Sequence, residues 1–133
     1  MQNNEWVNRL SQLQNMRLEV DELSQRIARL ELTLKKETFA PGQERRAENS
    51  LRDALRRMNA RRLDCMEELG RLYSSIDDIP DSKLRRIFSF RYIDGLTWQE
   101  VAYRIGEFDE QYPRRLHNRY LRQRSSEKND KCG

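Results

Sequence analysis

Apolar residues recur at alternating intervals of three and four through Val20, Leu23, Ile27, Leu30 and Leu34, a heptad seam that commits this part of the chain to a long amphipathic helix. Trp6, Leu10, Leu13 and Met16 lead into the seam. The pattern breaks around Thr38-Phe39-Ala40-Pro41-Gly42 and resumes with Leu51, Leu55, Met58, Arg62, Cys65, Leu69, Leu72 and Ile76. Proline removes a helical hydrogen bond and glycine weakens the helix further, so an unbroken helix across Pro41-Gly42 would cost several kcal/mol, about 3 for the proline alone. The pattern predicts two helices of roughly thirty residues, about 45 Å each, folded as an antiparallel helical hairpin over residues 1–80. Such a hairpin has one buried interface, yet Leu18, Leu32 and Leu63 lie beside the main seam. The expectation is a homodimer in which two hairpins form a four-helix bundle. Arg62, at a seam position, is expected to pack its stem and extend its head to water.

Residues 81–124 follow a different plan, with three shorter helices separated by turn-sized gaps. In Ile93-Asp94-Gly95-Leu96-Thr97, Gly95 suits the left-handed conformation that closes a helix, which predicts an end near Asp94. Thr97 and Glu100 form a Thr-x-x-Glu capping box, so a new helix begins at Trp98. Trp98, Val101, Ala102 and Ile105 share its buried face, and Gly106 ends it after about two turns. Asp109 is a good cap for the last helix, which carries Arg114, Arg115, Arg119, Arg122 and Arg124 and, through Arg124, no acid after Glu110. Leu116, Tyr120 and Leu121 point inward, leaving Gln111, Arg114, Arg115, Asn118, Arg119 and Arg122 outward. Such side chains suit a major groove, because arginine pairs bidentately with guanine, glutamine or asparagine pairs with adenine, and other cations neutralise phosphates. His117, the only histidine, is expected to pack beside Leu116 or touch a phosphate, and is counted with this DNA-binding set. Arg85, Arg86 and Arg91 are candidates for the DNA backbone or for solvent.

The stretch Arg91-Tyr92-Ile93-Asp94-Gly95-Leu96-Thr97-Trp98-Gln99-Glu100-Val101-Ala102, then Gly106 and Arg114-Arg115-Leu116-His117-Asn118-Arg119, resembles sigma-70 region 4. Within that family it is most similar to small phage-encoded regulators of the RinA and ArpU type. The resemblance covers about a third of the chain. It implies a three-helix helix-turn-helix module that docks its last helix in the major groove, in a transcriptional activator of late phage genes with bacterial RNA polymerase as partner. One departure is Pro113, which stands where the family has a β-branched apolar residue, after a turn one residue longer. Proline is comfortable only in a first helical turn, so it limits how far upstream the helix begins. Contacts at Asp109, Glu110 and Gln111 are not carried over from the family; Gln111 is counted from its place on the outward face.

The charge is divided in the same way as the pattern. Residues 1–81 hold 14 basic and 15 acidic side chains and residues 82–133 hold 12 and 7, so the net +4 belongs to the second part and favours a polyanion such as double-stranded DNA. With 36% charged residues and few glycines and prolines, the composition predicts an all-α protein with no large core. No apolar run near Met1 suits a signal peptide and none approaches a membrane span, so no membrane partner and a cytoplasmic location are expected. Cys65 and Cys132 lack metal-ligand partners at usual spacing and are expected to be reduced thiols. No phosphate loop, metal cluster or nucleophile paired with a base is present, so neither enzymatic activity nor a cofactor is expected. Two other functions fit the same organisation: a DNA-packaging recognition subunit, and a coiled-coil interaction protein without DNA affinity. The polar tail 125–133 is expected to be disordered.

Overall fold

The computed structural model describes residues 2–37 and 42–132, with the side chains of 2–4, 43 and 126–132 excepted. The chain is all-helical, with 85% of it in helices and no strand among the described residues. The helices are α1 (Gln2–Ser11), α2 (Leu13–Lys36), α3 (Gln43–Asp77), α4 (Ser82–Phe88), α5 (Trp98–Arg104) and α6 (Gln111–Cys132), and a π-helical turn, Ser89–Ile93, prolongs α4. Two compact units divide the chain: one is Asn15–Leu69, the other joins Met1–Gln14 to Gly70–Gly133.

The first unit consists of most of α2 and the larger part of α3. The Arg62 guanidinium donates to Ser24 Oγ at 3.3 Å, and Cys65 Sγ lies 3.4 Å from Glu19 Oε1. Leu34 shares a small surface pocket with Arg52 and Leu55. Position rises along one helix as it falls along the other, so the two run antiparallel. The break expected at 38–41 lies outside the described residues; Gly42, next to it, has φ +96°. Leu23, Ile27, Leu34 and Leu69 are buried, but Val20, Leu30, Leu51, Leu55 and Met58 are only half-buried. One helix can cover only one stripe of another, and this unit holds no third helix. Arg62 is half-buried, and its guanidinium is bonded to Ser24 and to Asn59 Oδ1.

The second unit contains the densest core. Leu10, Leu13, Leu72, Ile76, Ile79, Ile87, Phe88, Val101 and Pro113 are all but fully enclosed, with Trp6, Tyr92, Ala102 and His117 also buried. The compact units therefore do not meet at the expected boundary of residue 80. Trp6, Leu10 and Leu13 continue the apolar spacing of α2 in sequence, yet they complete the core around α4 to α6. Periodicity identifies a buried face but not the element that covers it. Trp6 stacks on Phe88 with ring centroids 5.3 Å apart, meets Tyr120 edge-on at 6.4 Å, and donates its indole N–H to Ser75 Oγ at 3.0 Å.

Local signals set the ends of these short helices. Asp81 caps α4 by accepting from the Leu84 N–H at 2.9 Å. The π turn closes with Asp94 N–H to Ser89 O and Leu96 N–H to Phe90 O, each 3.0 Å, and Gly95 takes φ +72° as expected. The Gln14 side-chain amide then donates to the carbonyls of Tyr92, at 3.2 Å, and Ile93, supplying donors to a helix end that has none of its own. The capping box is complete: Thr97 Oγ1 accepts from Glu100 N–H, and Glu100 Oε1 accepts from Thr97 N–H at 3.1 Å. These two backbone and hydroxyl partners hold the Glu100 carboxyl below its ordinary range.

Candidate nucleic-acid interface

Between α5 and α6 the backbone is held at successive points. Gly106 has φ +82°, and Glu107 N–H returns to Ala102 O at 2.9 Å, which stops α5 and turns the chain. Asp109 then fixes the start of α6: one carboxylate oxygen accepts from Gln111 N–H and the other from the Arg115 guanidinium, both at 3.0 Å. These bonds, the backbone one foremost, lower the Asp109 pKa from its ordinary value. Pro113 occupies the third position of α6 and is fully enclosed. No intrahelical partner is lost, since the first-turn N–H groups of a helix have none. The proline therefore lets α6 begin at Gln111 and also plugs the core.

Gln111, Arg114, Arg115, Asn118, Arg119 and Arg122 are exposed. Their spacing of three and four places them along one side of α6. Among the described residues, no ion pair involves Arg114, Arg119 or Arg122. Arg115 does pair with Asp109, but both groups are more than half exposed, and such a pair exchanges readily for another anion.

His117 does not belong to this surface. It is 5% exposed and stacks on Phe88 at 4.8 Å, with Trp98 edge-on at 5.0 Å. Its Nε2 lies 2.7 Å from Tyr92 Oη and its Nδ1 2.9 Å from Asn118 Oδ1. The carboxamide oxygen accepts the Nδ1 proton, so Nε2 is the acceptor for the tyrosine hydroxyl. Burial lowers the His117 pKa, with Arg91 and Arg114 acting in the same direction and the Asn118 bond against them. A neutral ring enclosed by aromatics has no access to a phosphate. Outward residues on α6 follow i, i+3, i+4 from Gln111, and position 117 falls between those turns.

The other arginines of this unit serve the fold. Arg85 donates to Ile79 O at 2.8 Å, Arg86 to Arg104 O at 3.2 Å and Arg91 to Leu96 O at 3.0 Å. Arg91 also lies 4.7 Å from the Trp98 ring, which is half-buried rather than central to the core. Arg124 turns towards the protein, 3.9 Å from the Trp6 ring. Leu116, Tyr120 and Leu121 are half-buried, and α6 remains helical to Cys132 where a disordered tail was expected from 125. No Gly or Pro interrupts Ser125 to Cys132, so nothing local ends the helix. Two exposed aromatics carried no sequence signal: Tyr103 is 80% accessible, and Phe108, in the turn before α6, is fully so at 107%.

Among the described residues, no group of His, Cys, Asp and Glu is placed to hold a metal ion, and no helix is long and apolar enough to cross a membrane. A scan of protein-family models gave no match, and neither a search of curated proteins nor one of solved structures returned a match.

Proposed function

We propose that this chain is a sequence-specific DNA-binding transcriptional regulator, an activator of phage genes that acts with host RNA polymerase. The observation that carries the proposal is the exposed face of α6, where Gln111, Arg114, Arg115, Asn118, Arg119 and Arg122 stand together behind a tightly capped α5. On this proposal α4 to α6 form a helix-turn-helix module, α5 supporting and α6 lying in the major groove. The length and side-chain chemistry of α6 support it: arginine and amide groups supply both base-edge donors and phosphate contacts. The activator role and the polymerase rest on the resemblance to sigma-70 region 4 and the phage regulators.

The antiparallel α2 and α3 act as the pairing element. Leu18, Leu32, Leu63 and Met66 are each more than half exposed, and a second copy would cover such residues. A dimer would present two modules at a fixed separation and read two half-sites. Selection from a random DNA pool with the full chain tests this function. Enrichment of a sequence with two half-sites at constant spacing is the expected result, and absence of any enrichment would overturn it.

A further inference from the structure

Among the described residues Phe108 is the most exposed large apolar one, and it stands in the turn that leads into α6. The backbone on both sides of it is anchored, by Glu107 N–H on Ala102 O before it and by Asp109, bonded to Gln111 and Arg115, after it. A fully solvated phenyl ring held on a fixed turn gains nothing for the fold. It directly precedes Asp109, whose carboxylate is bonded to Gln111 and Arg115 of the basic face.

We propose that Phe108 is a specificity-determining residue that packs against the C5-methyl group of a thymine in the major groove. This rests on the DNA-binding function above. The first residues of a groove-bound helix meet base edges, and among the four bases only thymine offers a methyl group there, for which phenylalanine is a suitable apolar partner. The neighbouring side chains fit the same groove: Gln111 and Arg115 take the polar edges, and Phe108 takes the one apolar feature they cannot read. Specificity then comes from excluding cytosine, which has no methyl at this position, and from the water released when methyl and ring meet.

The test uses the full chain and the duplex enriched from the random pool, with each thymine replaced singly by deoxyuridine, which removes the methyl and preserves base pairing. One thymine per half-site is expected to weaken binding about threefold to fivefold on replacement, the effect of withdrawing one apolar carbon from a buried contact. Phe108→Ala should lose a similar factor on the thymine duplex and be insensitive to the replacement at that position, whereas Phe108→Leu should keep the sensitivity. The exposure of the ring predicts unchanged thermal unfolding in both variants. If Phe108→Ala retains the wild-type ratio between the two duplexes, or if the enriched half-site contains no sensitive thymine, the Phe108 proposal falls while DNA binding stands. If the pool yields no bound sequence, both fall.

Discussion

Tyr92 Oη and His117 Nε2 lie 2.7 Å apart inside the core of the second unit, joining the helix before α5 to α6 by a bond between two buried side chains. With Nδ1–H given to Asn118, a neutral imidazole accepts the Tyr92 hydroxyl proton at Nε2, and protonating His117 removes that acceptor lone pair. Burial keeps the ring neutral by lowering the histidine pKa, and raises that of Tyr92. The pair ties α6 to the helix before α5 through a titratable group.

Stability should depend on pH in two windows. An unfolded His117 titrates near pH 6.5 and the folded one below that, so its contribution is full above about pH 6.5 and declines as pH falls towards the folded value. Tyr92, raised in the fold, adds a loss as pH climbs above about 10. Urea unfolding between pH 5.5 and 8 should show the first slope. His117→Phe should remove that slope and cost about 1–3 kcal/mol at pH 8, because the Tyr92 hydroxyl is left buried without its acceptor.

Trp6→Ala should destabilise the second unit by about 3–5 kcal/mol, the range for deleting a large buried aromatic. The stacked contact with Phe88, the bond to Ser75 and the Arg124 cation above the ring would all be lost. Circular dichroism during heating would measure the effect. A loss below about 1 kcal/mol, typical of a surface substitution, would mean that α1 is not part of this core.

Gly95→Ala should cost about 1–2 kcal/mol from the left-handed backbone alone. The added Cβ would also lie 3.3 Å from Gln14 Cδ, pressing on the amide that caps the π turn. Gln14→Leu would keep the side chain's bulk and remove only its hydrogen bonds. Unfolding of the two variants, compared by denaturant titration, should show both destabilised.

On the proposed function, Arg114→Ala combined with Arg115→Ala should lower specific affinity by about 1–3 kcal/mol for each residue that reads a base, and should flatten the salt dependence of binding by about one unit of slope for each lost phosphate contact. Titrations of the enriched duplex at several salt concentrations separate the two. Equal affinity in the double variant would move the interface away from α6.

Sedimentation of the full chain at tens of micromolar should report a dimer. Leu32→Glu with Leu63→Glu should shift it towards monomer without unfolding, since both side chains are more than half exposed. A wild-type monomer at that concentration would remove the paired-module geometry.

Much of the local structure was legible in the sequence. The Thr97–Glu100 capping box, the positive φ at Gly95, the helix stop at Gly106, the buried Val101 and Ala102 and the outward side of α6 each depend on residues within a few positions of one another. Spacing along one chain segment records such features directly. His117 was misplaced because its neighbours in sequence are basic and polar, whereas the neighbours that bury it are Tyr92, Phe88 and Trp98.

The sequence by itself determined that the chain is helical, where the shorter helices stop, and which side of α6 carries its charge. The tertiary structure alone decided that Trp6, Leu10, Leu13 and Gln14 belong with α4 to α6. It also decided that Pro113 fills the core and that Phe108 is left wholly in solvent. Local pattern follows from backbone bonding and side-chain period within a helix. Which apolar faces meet depends on contacts such as Gln14 to Tyr92, between residues far apart in the chain, and helical periodicity carries no record of them.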